Sequence, residues 1–170
     1  MSISMSSASL PIFNAMLGNL NHILDKAQAF AVAKKCDPLV LTHFRLAPDM
    51  LPFSGQILIA CDTAKNGTAR LSGVDAPKYD DNEVTLSELK ARIQKTLDYL
   101  ATVPNSALDG TEEKVITFQA GPVSRTMLGE AYLKLWLLPN LFFHITMAYA
   151  MLRHNGVDLG KLDYLTGENN

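Results

Sequence analysis

The feature that most constrains this chain is a run near its C-terminus, residues 133–152, that is apolar almost all round. Such a run is about as long as a membrane-spanning helix needs. It is interrupted by Pro139 and contains the polar residues Asn140 and His144. Because the central helix of a soluble bundle is also apolar on every side, we predict a bundle helix, broken or kinked at Pro139, with no membrane partner.

Three further segments have the spacing of apolar residues that is typical of helices. Together with the last helix, they extend over about residues 9–35, 52–71, 85–103 and 128–154. The third begins with the clearest start signal in the chain, a capping box formed by Thr85 and Glu88. The sequence therefore predicts a mostly α four-helix bundle with a kinked last helix, forming a single domain over residues 1–170.

Two stretches between these helices do not fit a long helix. The connector from Pro38 to Pro52 contains three prolines, which exclude one continuous helix. The stretch from Lys114 to Met127 is rich in strand-forming residues on either side of an apparent turn at Gly121. We predict a connector that packs on the core and a small β-hairpin between helices 3 and 4.

Composition limits the classes of function. Of the 170 residues, 48% are hydrophobic and 19% are charged, and the formal net charge is −2. This chain has no excess of basic residues to attract nucleic acid, so we expect no nucleic-acid partner. The N-terminus lacks the pattern of a signal peptide, and Cys36 and Cys61 do not form a CxxC motif, so we expect a cytoplasmic protein with free thiols.

His144 is the best single candidate for a functional group, because an imidazole enclosed in an apolar helix needs polar partners. It could bind a metal, act as an acid or base, or form a hydrogen bond within the core. Asn140 lies one turn before it on the same face. Asp62 interrupts a second apolar run and should be paired, half-exposed or part of a site, with Arg45 and Arg153 as possible partners.

The connector supplies His43, Arg45 and Asp49, which either form a site on a loop or fix the loop by hydrogen bonds. Arg153 lies in the last helical turn, where a positive charge interacts favourably with the helix dipole. This interaction is enough to explain an arginine at that position without a functional role. If burial lowers the pKa of His144, the anions that could compensate are Asp49 and Asp62.

Three separated motifs resemble a known family. They are Arg45-Leu46-Ala47-Pro48-Asp49-Met50, Pro139-Asn140-Leu141-Phe142-Phe143-His144 and Arg153-His154-Asn155-Gly156-Val157. Over nearly the whole chain the sequence resembles an uncharacterised domain-of-unknown-function family related to the DinB/YfiT-like four-helix bundles. The resemblance implies a DinB-like bundle and a homodimer.

The resemblance also implies a divalent metal, such as zinc or nickel, held by three histidines. Two of them would come from a His-x-x-x-His step on the last helix and one from the second helix. His144 matches one position of this step. The second histidine would have to lie four residues before or after it, where this sequence has Asn140 and Ala148. The second helix has Gln56 and Asp62 but no histidine, so His43 is the other possible metal ligand.

Two functions remain open at this stage. The first is a homodimer, non-catalytic or binding a small molecule, with a polar pocket around His144. The pocket candidates are His43, Arg45, Asp49, Gln56, Asp62, Asn140, His144 and Arg153. The alternative is a metal-dependent hydrolase or thiol transferase with a degenerate metal site, in which His144 is the base or ligand.

Overall fold

The fold, taken from a computed structural model, is described for residues 3–167 and is mostly helical with one small sheet. In this part of the chain there are seven helices and two strands. The helices are α1 (Leu10–Lys34), α2 (Leu39–His43), α3 (Phe53–Ser72), α4 (Leu86–Thr102), α5 (Asn105–Leu108), α6 (Gly129–His154) and α7 (Lys161–Leu165). The strands are β1 (Val115–Ala120) and β2 (Val123–Leu128).

Four of the helices are long, and they surround one core. α3 packs between α4 and α6, and α1 contacts the same two helices from the other side. The predicted mostly α fold is confirmed, but the prediction of four helices omitted α2, α5 and α7. These short helices lie in the connector, after α4 and in the tail, where prolines and polar residues hid their periodicity.

Local sequence explains the ends of the long helices. Pro11 lies in the first turn of α1, where its missing N–H is not needed. α4 begins with the predicted capping box: the Glu88 N–H donates to Thr85 Oγ1 at 3.2 Å, and the Thr85 N–H donates to Glu88 Oε2 at 2.8 Å. α3 ends at Gly73, which has a φ of 79°.

The last long helix, α6, accommodates Pro139 by a π-helical turn. The turn comprises Leu133–Leu137 and lies between a first α-helical turn and the main part, Leu138–His154, so that Pro139 stands near the start of resumed α-helix. Proline lacks the N–H that a regular helix would use, and a start position tolerates this loss. α6 is long and apolar enough to cross a membrane by length and composition; here it packs on α3 and α1.

The predicted hairpin is present, and it docks on the start of α6. Val115 pairs with Leu128 at one end of the antiparallel register, and Ala120 pairs with Val123 at the other. The Phe118 side chain is buried, and its ring centroid lies 4.8 Å from that of Tyr132 and 5.0 Å from that of Trp136. An isolated two-stranded hairpin is marginal in water, so this aromatic cluster stabilises it.

The segment after α6, which contains α7, is fixed to α1 by a buried carboxylate. The Asp163 side chain is fully buried, and its Oδ1 accepts hydrogen bonds from Lys26 Nζ and His22 Nε2, each at 2.9 Å. Its Oδ2 accepts from the Gly160 N–H at 2.6 Å. These contacts hold α7 against α1.

Candidate functional site

His144 lies in the interior, as predicted, between α6 and α3. Its Nδ1 is 2.8 Å from Oε1 of Gln56, and both side chains are buried. Gln56 Nε2 donates in turn to the Leu51 carbonyl in the connector, at 3.2 Å. The chain of hydrogen bonds therefore links α6, α3 and the connector.

The hydrogen bonds of Gln56 determine which nitrogen of His144 is protonated. Because the Gln56 amide nitrogen donates to Leu51, its carbonyl oxygen faces His144, and His144 Nδ1 must donate the hydrogen. Burial lowers the pKa of His144, since the charged imidazolium is poorly solvated there. His144 is therefore a neutral imidazole with a fixed tautomer.

The other residues predicted from the connector do not meet His144. His43 is exposed, and its Nδ1 is 2.9 Å from the carbonyl of Leu39 in its own helix. Arg45 is exposed and donates to the Met50 carbonyl. Asp49 and Arg153 are exposed as well. Arg45 thus fixes the loop, while His154, the neighbour of Arg153, stacks on the ring of Phe44 with centroids 5.6 Å apart.

Asp62 belongs to a different cluster, between α3, α4 and the loop that joins them. Its Oδ1 lies 2.8 Å from Arg92 Nη2 and 2.9 Å from Lys65 Nζ. The predicted partners Arg45 and Arg153 are therefore wrong. Asp62 is half-buried, and Arg92 and Lys65 already compensate its charge, so it gives no compensation to His144.

Arg92 is the centre of that cluster and is fully buried. It also contacts Asp81 at 2.7 Å and Glu83 at 3.1 Å, and its guanidinium carbon lies 4.1 Å from the centroid of the Tyr79 ring. Asp81 and Glu83 thus bind the loop to α4, while Asp62 joins α4 to α3. Arg92 Nε has no hydrogen-bond partner among the described residues.

The metal site that the resemblance implies requires donors that these residues do not supply. His144 Nδ1 is occupied by Gln56, Asn140 Nδ2 donates to the Trp136 carbonyl at 3.3 Å, and position 148 is a buried alanine. Within residues 3–167, no group of three or more His, Cys, Asp or Glu side chains could hold a metal ion. The residues around His144 do not fit a three-histidine zinc or nickel site, and His43, the other predicted ligand, does not meet His144.

A polar cleft of about 180 Å³ lies along α3 and α6, starting one turn from the His144–Gln56 pair. It is lined by Ile59, Asp62, Thr63, Asn66, Arg70, Tyr132, Trp136, Leu137 and Asn140. Most of these residues are half-buried. The π turn contributes Trp136 and Leu137, and such turns are frequent at functional sites.

Arg70 and Tyr132 form the far end of this cleft. Arg70 Nη1 donates to the Tyr132 hydroxyl at 2.9 Å. The Tyr132 ring is fully buried, and burial raises the pKa of its phenol, so the hydroxyl keeps its proton. The arrangement can therefore bind a polar ligand by hydrogen bonds from several directions.

Larger grooves exist, but they do not bring polar groups together in the same way. One of them, about 620 Å³ in volume, lies between the loop at residues 75–79 and α4. Asp75, Lys95 and Asp98 on its rim are exposed to solvent. In the cleft along α3 and α6, Arg70 is exposed, but six of the nine lining residues are half-buried, and we therefore regard this cleft as the candidate site.

Sequence reasoning predicted four lining or adjacent residues: Gln56, Asp62, Asn140 and His144. It did not single out Arg70, Tyr132 and Asn66. The available signal was the spacing of Asp62, Asn66 and Arg70, which places polar side chains every four residues on one face of α3.

Comparisons with known proteins agree with this fold. Residues 5–165 match a family described as Domain of unknown function (DUF1993). The chain is also similar to a DinB family member protein from Shewanella denitrificans whose crystal structure is known. The two are 43% identical, with a TM-score of 0.86, over 97% of this chain and 93% of the other. No curated protein matches the chain.

Proposed function

Since the chain belongs to the DUF1993 family, whose function is unknown, we propose a function from the site itself: the protein binds a small polar molecule between α3 and α6, without catalysis. Its four long helices correspond to a DinB-like bundle. One observation supports the proposal most directly. Thr63, Asn66, Arg70 and Asn140 face one half-buried cleft that Trp136 closes on the apolar side.

The His144–Gln56 pair acts in this proposal as a support for the cleft. A neutral histidine with a fixed tautomer and a buried glutamine partner joins α3 to α6 next to the cleft. No second acid or base contacts the imidazole among the described residues. Positioning of two helices is therefore the role that the contacts of His144 support.

Ligand binding can be tested with a library of small polar molecules, observed through the backbone amide and Trp136 indole resonances of labelled protein. A Thr63→Phe variant fills the cleft and should abolish the binding of any hit. Thr102→Phe is the matched control, because Thr102 lines the 620 Å³ groove beside α4 instead. Hits that bind equally well to the Thr63→Phe variant would place the site elsewhere.

We also propose that the protein is a cytoplasmic homodimer. α6 has an apolar face toward solvent, in which Leu135 is 69% exposed and Phe143 is 52% exposed. Phe142, on the same helix, is also exposed. A second copy would cover this face, as homodimer interfaces are rich in apolar residues. The two cysteines are free, which suits a reducing compartment.

Sedimentation at micromolar concentration tests the dimer. The expected mass is twice that of the 18.6 kDa chain. The double variant Leu135→Ser, Phe142→Ser should sediment as a monomer, whereas Val123→Ser, which changes an exposed apolar residue on β2, should not alter the mass. A wild-type monomer at all concentrations would contradict the proposal.

A further inference from the structure

The end of the cleft formed by Arg70 and Tyr132 has hydrogen-bond donors that exceed its acceptors. Arg70 donates one N–H to the Tyr132 oxygen and makes no ion pair with a carboxylate of residues 3–167. The Tyr132 side chain is completely buried, and its own O–H has no acceptor in this part of the chain. Two neighbouring groups at this end of the cleft, the exposed guanidinium of Arg70 and the buried hydroxyl of Tyr132, therefore have N–H or O–H hydrogens without an acceptor among the described residues.

One polar residue and one further cation lie near these two donors. Asn66 lies one helical turn from Arg70 on α3 and lines the same cleft. Arg125, on β2, lies over the ring of Trp136, with its guanidinium carbon 5.4 Å from the ring centroid. The nearest carboxylate that lines the cleft, Asp62, is two turns away on α3 and is already paired with Arg92 and Lys65.

The size and the walls of the cleft limit the ligand. A volume of about 180 Å³ corresponds to about six water molecules at ~30 Å³ each. Ile59, Trp136 and Leu137 offer apolar surface next to the polar end. The site therefore suits a compact molecule with one polar end and a small apolar or aromatic body.

We propose that the ligand is a small organic carboxylate, with its carboxylate held by Arg70 and Tyr132 and its body against Trp136. This inference rests on the proposed binding function. A guanidinium beside a hydroxyl matches the two oxygens of a carboxylate. A phosphate ester, with a charge of about −1.5 to −2 at neutral pH, would need a second cation that contacts it directly.

Benzoate and its neutral analogue benzamide are matched probes for the test. We expect calorimetry or titration by nuclear magnetic resonance to show benzoate binding at least tenfold more tightly than benzamide, and more tightly than phenyl phosphate. Arg70→Gln should weaken benzoate at least tenfold. Tyr132→Phe, which keeps the ring, should weaken it severalfold and leave benzamide unchanged.

Lys134→Gln is the matched control, because Lys134 is a cation on α6 that pairs with Glu130 and does not line the cleft. It should leave benzoate affinity unchanged. The thermal melting of each variant shows whether it is folded, and the Tyr132→Phe variant tests the site if the Arg70 variant is not.

The outcomes separate this inference from the proposed function. Equal binding of benzamide and benzoate, or tighter binding of phenyl phosphate, would overturn the carboxylate and leave a binding cleft. If the Lys134 and Arg70 variants lose benzoate affinity equally, the loss comes from the change in the net charge of the protein. That result would overturn the assignment of Arg70 to the site. If neither benzoate nor the polar library binds, both proposals fail.

Discussion

Two regions of this molecule bury polar side chains against α3, and they do so in opposite ways. Between α3 and α6, His144 and Gln56 share one neutral hydrogen bond, and the amide nitrogen of Gln56 donates to the Leu51 carbonyl. Between α3 and α4, Arg92 is charged and meets three carboxylates from two segments.

The difference shows what each kind of burial requires. A neutral pair is satisfied by one partner on the facing helix, and the histidine adjusts by a lowered pKa. A buried guanidinium cannot lose its charge, so it needs carboxylates around it. As a consequence the loop before α4 is fixed, because its residues Asp81 and Glu83 form ion pairs with Arg92.

Removing Arg92 should have the largest effect. Arg92→Met keeps most of the apolar volume but leaves Glu83, whose side chain is only 13% exposed, without its cation, and breaking a buried pair costs about 3 kcal/mol or more. We expect the free energy of unfolding, measured in urea, to fall by this amount. Lys95→Met, on the exposed side of the same helix, should change it little. Equal effects of the two would show that the charges at Arg92 do not hold the loop.

Asp163 is a buried charge in another part of the fold, and its substitution tests whether disturbing such a charge also lowers the free energy of unfolding. Burial would raise its pKa, but the Gly160 N–H, Lys26 and His22 outweigh this and lower it. Asp163→Asn should therefore cost about 2 kcal/mol.

The sign of the pH effect follows from the lowered pKa. Asp163 stabilises the fold above its unfolded value of 3.8, and this stabilisation is lost as the pH falls from there through the lower folded pKa. The Asn variant should lack that part of the acid sensitivity. Asp158→Asn, at an exposed position of the tail, is the control; the same loss in both variants would argue against a specific role of Asp163.

The neutral pair should respond less. His144→Gln can still donate to Gln56, and we expect a loss of about 1 kcal/mol at neutral pH. If binding of a cleft ligand is lost while the variant remains folded, the role of His144 extends beyond support.

The pH dependence of His144 lies in a different window. Its pKa is lowered by burial from 6.5, so below about pH 6.5 the unfolded chain takes up a proton that the folded chain does not. The free energy of unfolding should therefore fall with pH from there until the lower folded pKa is passed. The Gln variant should show a smaller slope than the wild type in the range just below pH 6.5. Identical slopes would mean that His144 is not neutral in the fold.

The smallest effect is expected at an exposed ion pair. Lys134 and Glu130 form an i,i+4 pair on α6, and both side chains are more than half exposed. Lys134→Gln should lower the free energy of unfolding by no more than ~0.5 kcal/mol, and salt should remove this difference. A loss as large as that of Arg92→Met would show that burial does not explain the contrast.

Sequence patterns could predict the long helices, the hairpin and the interior position of His144, because each depends on local spacing or on a polar residue within an apolar run. Gln56 was a candidate, but its pairing with His144 depends on how α3 and α6 are placed. Arg92 was missed, since it lies between Leu89 and Ile93 in a helix with many charges. The pairing of His22 with Asp163 could not be predicted either, because the two residues are 141 positions apart in the sequence.

The π turn in α6 has a consequence for how the family can change. A π turn holds one residue more than the α-helical turn that it replaces. Deleting one residue between 133 and 137 would restore a regular helical turn and leave the parts of α6 on either side in their present orientation. The hairpin would stay in place, because β2 runs directly into Gly129, and the change would be confined to the side chains of the turn itself, among them Trp136 and Leu137, which line the cleft. In this fold, a single-residue deletion can thus alter the cleft while the core of α1, α3 and α4 is unchanged.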